Sequence, residues 1–378
     1  MKIAVIEPLG LGDVVLSLSV VQTLRKAIPD AQITMVVQKS LIEIPANHPD
    51  VDSVIPIHNK QPMPIRFLRL VSEFSSISFD IALLCPGSLT VAVAAAAARI
   101  PRRIGSDQTH GMDLFANQIR YPRLQYQTNG AFLVGMFDRL VRHVNKRSIA
   151  SLYFTDVVPF DTAKHAAERF CSLLHPLRIY EHPVSPKISP SNESILHVEG
   201  LGKEFGIRWE GRPVALVPGS RWPTKQWGEN HYGLLTVELI KQYPEKDIIL
   251  CGHTADKELC ARIAGLTGAS CVKNLSGILS LDQLAEVFRR CSVMVGNDSG
   301  AGHCAAAVGT PVVTLFGPTI PQFGFFPLAP KSIVLEGEPL ECRPCGPYGG
   351  TYCPVKTHEC MTTISVESVV KAIKKIEG

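Results

Sequence analysis

The chain opens on a short apolar run, KIAVIE at residues 2–7, which breaks at a Gly-rich turn. Residues 13–28 follow with apolar positions at helical spacing. The alternation then recurs. AQITMVVQ (31–38) and FDIALLC (79–85) read as buried strands, VDSVIPI (51–57) as a weaker one, and RRIGSD (102–107) as a short strand running into a loop. The Ala-rich segment to Ile100 and the amphipathic residues 129–145 read as helices. A stretch with three prolines and four serines, EHPVSPKISPSNES (181–194), interrupts the series as a linker. Beyond it PVALVPGS (213–220) and DIILCGH (247–253) each read as strand then turn, and residues 292–319 as strand, loop, helix, strand and turn. Strands alternating with helices predict parallel sheets covered on both faces. The expectation is an α/β chain with two doubly wound, Rossmann-like domains facing a cleft, their Gly-rich turns at the strands' carboxyl ends where such folds bind ligands. The expected division is 1–185, 186–355, and a closing helix within 356–378 that returns to the first domain.

Length supports this division, because 378 residues exceed one ordinary core and domains run to roughly 150–200 residues. A net charge of +4 with no concentrated basic run argues against nucleic acid and suits anionic small molecules or an anionic lipid surface. The most apolar window, 81–100, is broken by Pro86, Gly87 and Ser88, so it reads as strand, turn and helix rather than a span of ~20 apolar residues. Glu7 and Asp13 interrupt the N-terminal apolar run, unlike a signal peptide. A cytoplasmic protein, with peripheral contact at the inner membrane face, is expected. Of the 11 cysteines, seven are scattered in apolar segments as small buried hydrophobes, and the odd total argues against a disulfide framework.

Candidate chemistry sits in the turns. In Gly10-Leu11-Gly12-Asp13 a dinucleotide fingerprint lacks its third glycine, Val15 standing there, and Gln38-Lys39 replace the acid expected after the second strand. Asp13 is then either a helix cap, worth ~1 kcal/mol, or a base facing the cleft, able to take a proton from a hydroxyl nucleophile. In PGSRWPTKQW, residues Ser220, Arg221, Thr224 and Lys225 suit a diphosphate; the alternative is a solvated loop anchored by Trp222 and Trp227. In GNDSGAGH, Asp298 and Ser299 can cap a helix starting near Gly300, whose N-terminus attracts phosphate. Asp298 itself suits sugar hydroxyls. His303 is either a core residue or part of this site. Asp256 and Glu258 are either ribose-hydroxyl acceptors or an acidic first helical turn.

Three ordered blocks, GLGDVVLSLSVVQTLRK, LVPGSRWPTKQW and VGNDSGAGHCAAAVGTPVVTLFGPT, with the tail CRPCGPYGGTYCPVKTHECMTTIS, closely resemble the heptosyltransferases of glycosyltransferase family 9. The resemblance implies a glycosyltransferase-B fold, acceptor on the N-terminal half and nucleotide sugar on the C-terminal half. It implies ADP-heptose as donor, an anionic lipopolysaccharide inner core as acceptor, and inversion without a catalytic metal. By the same resemblance Asp13 is the general base, Lys225 meets the donor phosphates beside Ser220, and Asp298, Ser299, Gly300 and His303 form the donor loop. Asp256 falls near the ribose-binding acid. Gly12, Arg221 and Thr224 complete the expected donor set. Arg66, Arg69, Arg99, Arg102 and Arg103 are candidates to meet an anionic acceptor or lipid, against solvated faces. The competing readings are a related transferase with another nucleotide sugar or a protein acceptor, and a non-catalytic nucleotide-sugar-binding protein.

The tail carries Cys342-x2-Cys345-x7-Cys353-x6-Cys360, four thiols within 19 residues. The spacing allows a structural tetrahedral Zn or Fe site away from the chemistry, or alternatively reduced core cysteines or a single disulfide. VESVVKAIKKIEG after Ser365 reads as an amphipathic helix.

Overall fold

The computed structural model of the chain describes residues 1–86, 88–107, 152–181, 185–346 and 348–378, and the helix expected at 129–145 lies outside them. The chain divides into two compact units. The first takes in Met1–Gly10, Ser17–Ile42 and Asp50–Val184; the second takes in Leu11–Leu16, Glu43–Pro49 and Ser185–Gly378.

The first sheet is built from β1 (Lys2–Glu7), β2 (Gln32–Gln38), β3 (Ser53–Ile57), β4 (Ile81–Leu84), β5 (Arg102–Ser106) and β6 (Asp156–Val158) in the order β3-β2-β1-β4-β5-β6. Every pairing is parallel. Ile3 lies between Ile33 on one side and Ile81 on the other, so β1 is central and buried on both faces. That placement accounts for its continuous apolar run. Among the described residues the helices along this stretch of chain are α1 (Leu11–Ala27), α2 (Glu43–Ala46), which belongs to the second unit, α3 (Met63–Ile77), α4 (Leu89–Ala97) and α5 (Ala166–Cys171). Because α1 begins at Leu11, Asp13 is not its cap; it stands in the first turn, where a carboxylate complements the helix dipole.

The second sheet repeats the arrangement with β7 (Val214–Val217), β8 (Ile248–Leu250), β9 (Val272–Asn274), β10 (Val293–Asn297), β11 (Val312–Phe316) and β12 (Ser332–Glu336). Its order is β9-β8-β7-β10-β11-β12. The chain reverses direction across the sheet between β7 and β10, and the loops at their carboxyl ends are where this topology binds ligands. Its helices are α6 (Asn192–Phe205), α7 (Glu229–Gln242), α8 (Lys257–Thr267), α9 (Leu281–Arg290), α10 (Gly300–Ala307), α11 (Glu359–Thr362) and α12 (Val366–Glu377).

The closing helix corrects one expectation. Rather than joining the first unit, α12 packs on α7 and on β10, β11 and β12 of the second. Val369, Ile373 and Ile376 enter the same apolar cluster as Trp227, Tyr232 and Leu315, and Glu377 pairs with Lys246 at 2.6 Å. An apolar stripe of this size is most stable against the nearest uncovered sheet face. Among the described residues no helix is long and apolar enough to cross a membrane.

Candidate functional site

The loop after β7 carries Gly219, Ser220, Arg221 and Trp222 into a single helical turn, Pro223–Lys225. The loop after β10 carries Asp298 and Ser299 into α10. These two loops meet through an ion pair: Lys225 Nζ donates to Asp298 Oδ2 at 2.6 Å, with the two side chains 12% and 11% exposed. Thr319 Oγ1 donates to the same Asp298 oxygen at 2.7 Å. A carboxylate that orients a lysine in this way fixes a positive charge at the carboxyl end of the sheet.

Asn297, the last residue of β10, organises the partner loop. Its Nδ2 donates to the Pro218 and Gly219 carbonyls at 2.9 and 3.2 Å. Its Oδ1 accepts from the Trp227 backbone N–H at 3.1 Å. One fully buried amide therefore sets both ends of the Lys225 loop. Burial drives the Tyr232 phenol far above its ordinary range, and its hydroxyl donates to the Val217 carbonyl at 3.2 Å.

Around the pair, Ser299 is the N-cap of α10 and its hydroxyl has no hydrogen-bond partner among the described residues. The turn Leu11–Leu16, which clusters with this unit, lies against α10. A Cβ on Gly300 would sit 2.7 Å from Leu11 Cβ, and one on Gly12 would sit 2.9 Å from the ring of His303. Only glycine allows this approach. Asp13 is half-buried in that same turn, and His303 is buried in α10. Asp256 also joins the site: its Oδ2 accepts from the His253 N–H at 2.8 Å as a helix cap, and its carboxylate occupies the space a Cβ on Gly219 would need.

Other expected residues have partners of their own. The Thr224 hydroxyl donates to the Gly350 carbonyl at 2.9 Å and accepts from the Gly350 N–H at 2.7 Å. Ser220 Oγ accepts from the Trp222 N–H at 3.4 Å, and the Arg221 side chain lies over the Trp222 ring. Glu258 is exposed on the first turn of α8. In the first unit Arg102 is engaged by Asp156 and the Pro176 carbonyl, and Arg103 by the Tyr153 and Ile100 carbonyls, so both brace the sheet near its edge.

The cysteine tail is not remote from the site. His358 Nε2–H donates to the Thr224 carbonyl at 2.6 Å, Arg343 Nη2 donates to the Thr319 carbonyl at 2.9 Å, and the Cys345 N–H donates to the Pro318 carbonyl at 2.8 Å. Through these contacts the described residues of 343–346 and 348–358 form a strap that ties the tail to the loops that carry Lys225 and Thr319. The expected metal centre is not assembled there: all 11 cysteines are free thiols, and among the described residues no group of three or more His, Cys, Asp or Glu is placed to hold a metal ion. Cys345 Sγ turns to the Cys342 carbonyl, and Cys360 is buried. Burial first, then the neighbouring thiols, push Cys345 up to about 11 and Cys360 up to about 12. Asn297, Thr319 and the strap contacts were not singled out in the sequence. Asn297 and Thr319 do stand within GNDSG and FGPT, as polar residues closing apolar strands.

The family model for glycosyltransferase family 9 (heptosyltransferase) matches residues 123–352. Lipopolysaccharide heptosyltransferase 1 of Pseudomonas aeruginosa is 26% identical over 370 residues, covering 94% of this chain and 89% of its own. The glycosyl transferase family 9 structure from Veillonella parvula superposes with a TM-score of 0.77 at 20% identity, over 99% of this chain and 96% of that one. The Escherichia coli ADP-heptose lipopolysaccharide heptosyltransferase II structure does so with a TM-score of 0.72 at 22% identity, over 100% and 98%. These two likenesses show the fold, two doubly wound α/β domains of the glycosyltransferase-B type. With a match that spans more than half of its length, this chain belongs to glycosyltransferase family 9, the heptosyltransferase family.

Proposed function

We propose that the protein transfers heptose from ADP-heptose to a lipopolysaccharide inner-core acceptor, with inversion at the anomeric carbon. The observation that carries this reading is the Lys225–Asp298 pair at the switch point between β7 and β10. A cation fixed there, beside the N-terminus of α10, suits a diphosphate that gains negative charge as it leaves. The Ser299 hydroxyl and the Asp256 carboxylate supply further polar contacts to a nucleotide sugar. The curated relative named for lipopolysaccharide and the solved relative named for ADP-heptose favour this substrate pair.

In the proposed step the Asp13 carboxylate takes the proton of the acceptor hydroxyl. The acceptor hydroxyl's oxygen forms a bond to the anomeric carbon from the face opposite the diphosphate. The carbon–oxygen bond to the diphosphate breaks, and ADP departs with the electron pair. Asp13 supports the role by position, half-buried in the glycine-lined turn against Gly300 and His303. The diphosphate charge is met by Lys225 and the helix N-terminus, so the proposed reaction needs no catalytic metal. The first unit is proposed to hold the acceptor and the second the donor, in a cytoplasmic protein working at the inner membrane face.

The test is nucleotide release from ADP-, UDP- and GDP-sugars, with and without a heptose-deficient lipopolysaccharide acceptor. Acceptor-dependent release from ADP-heptose alone supports the reading. Release from another sugar nucleotide overturns the donor; no release from any overturns the activity. Asp13→Asn is expected to abolish release while ADP binding by calorimetry persists, and near-wild-type turnover in that variant removes Asp13 as base.

A further inference from the structure

The loop after β11 reaches the same ion pair. Phe316 closes β11, and Thr319 follows in the turn FGPT, 2% exposed. Its hydroxyl donates to Asp298 Oδ2 at 2.7 Å, the oxygen that also accepts from Lys225 Nζ at 2.6 Å. Among the described residues these are the donors to that carboxylate, and both end on one oxygen. A threonine is stiff at χ1, so its backbone position decides where the hydroxyl points. That position is set from the tail. Arg343 Nη2 donates to the Thr319 carbonyl at 2.9 Å, and the Cys345 N–H donates to the Pro318 carbonyl at 2.8 Å. The Arg343 side chain is 8% exposed and is itself paired with Glu336 at 2.7 Å.

Two anions compete for Lys225. Asp298 holds it in the structure, and the diphosphate draws on it in the proposed reaction. A carboxylate 11% exposed that loses its lysine becomes an uncompensated buried charge, which is costly. The Thr319 hydroxyl offsets part of that cost, because it stays on Oδ2 whichever way the ammonium turns. A hydrogen bond to an ionised group is among the stronger ones in a protein. With it in place, Lys225 can shift toward the phosphates without stranding Asp298. The effect is greatest where the diphosphate charge is fully developed, in the departing ADP.

We propose that Thr319, fixed through its carbonyl by Arg343, is the positioning residue that holds Asp298 while Lys225 takes up the charge of the leaving diphosphate. This role rests on the reading above, in which the ion pair meets the donor diphosphate, and it adds the group that lets one lysine serve two anions. Thr319 acts through Asp298, being too buried to touch the donor itself.

The experiment is ADP binding to the full chain by calorimetry. Thr319→Val keeps the shape and removes the hydroxyl. It is expected to weaken ADP binding about tenfold, the effect of one charge-assisted hydrogen bond. Thr319→Ser keeps the hydroxyl and removes the methyl, and is expected to stay within about twofold of the wild type. A packing role alone predicts the reverse order, since Ser then leaves a void and Val fills it. Wild-type affinity in Thr319→Val, or equal losses in both variants, overturns the proposal. Arg343→Gln tests the same role without touching the buried hydroxyl. It is expected to weaken binding about threefold through a looser Thr319, and to add nothing in the Thr319→Val background. A fully additive loss in the double variant overturns the link between the two residues. On ADP-heptose, Thr319→Val is expected to lower kcat more than it raises the donor KM, because the charge develops as the bond breaks; an effect confined to KM counts against the role. A wild type that binds ADP but turns over no ADP-heptose removes the transferase reading and leaves the ADP affinities to decide the role of Thr319. A wild type that binds no ADP overturns both.

Discussion

At the scale of single residues, one buried ion pair decides the character of the second unit's ligand loops. Lys225 and Asp298 are separated by 73 positions. The sequence marks each as a plausible ligand residue, but their pairing is a product of the β7–β10 reversal and is not visible along the chain. Removing one partner of such a pair leaves an uncompensated buried charge. Asp298→Ala is therefore expected to cost about 3 kcal/mol of stability or more by guanidinium denaturation, and to weaken ADP binding by calorimetry. An Asp298→Ala protein of unchanged stability contradicts the burial of the pair. Gly219 supplies a second residue-scale test. Any Cβ there collides with the Asp256 carboxylate, so Gly219→Ala must displace a group proposed to contact the donor. A raised donor KM with little change in kcat is expected, and unchanged steady-state kinetics removes Asp256 from the site. Asn297 shows where sequence reading stops: an amide closing an apolar strand looks like an ordinary strand end until its three loop contacts are seen.

At the scale of elements, the two parallel sheets were legible because β1, β2, β4, β7, β10 and β11 are continuous apolar runs bounded by glycines or polar turns. β6 and β9 were not, since each has three residues and lies at a sheet edge, where one-sided burial weakens the pattern. β6 is instead pinned by charge. The hydrogen bond from Arg102 is the largest influence on the Asp156 carboxyl; it outweighs burial, which acts upward, and with the Thr155 hydroxyl holds the group below its ordinary range. A carboxylate with a depressed folded-state pKa adds stability above its unfolded value of about 3.9. That stability is lost as pH falls through the lower folded value. Urea midpoints of the wild type are thus expected to fall below about pH 4 more steeply than those of Asp156→Asn; parallel curves refute the role of the pair. The strap is the element whose placement the sequence misjudged. Its cysteines suggested a separate metal knuckle, yet its hydrogen bonds end on Thr224, Pro318 and Thr319, next to Lys225 and Asp298. Thr224→Val strands the Gly350 amide and is expected to cost about 2 kcal/mol, with a rise in donor KM; a silent substitution separates the strap from donor binding.

At the scale of the whole molecule, two sheets of the same strand order serve two different ends. In the second unit the loops after β7 and β10 converge on a fixed cation, a capping carboxylate and a helix N-terminus. In the first unit two arginines are tied into the corresponding sheet near its edge. If the nucleotide binds the second unit, mass action must stabilise that unit selectively, by about 2.7 kcal/mol at a hundredfold excess over Kd. Hydrogen exchange is the measurement that resolves this by segment. ADP is expected to slow exchange in the backbone amides of 216–227, 251–258 and 296–303, and in the turn 11–16 that clusters with them. It is expected to leave β2, β3, β5 and β6 unchanged. Protection centred on the first sheet reverses the proposed division of donor and acceptor. Protection of 216–227 without 343–358 breaks the link between the strap and the Lys225 loop, because a strap hydrogen-bonded to Thr224 cannot open while that loop is held shut.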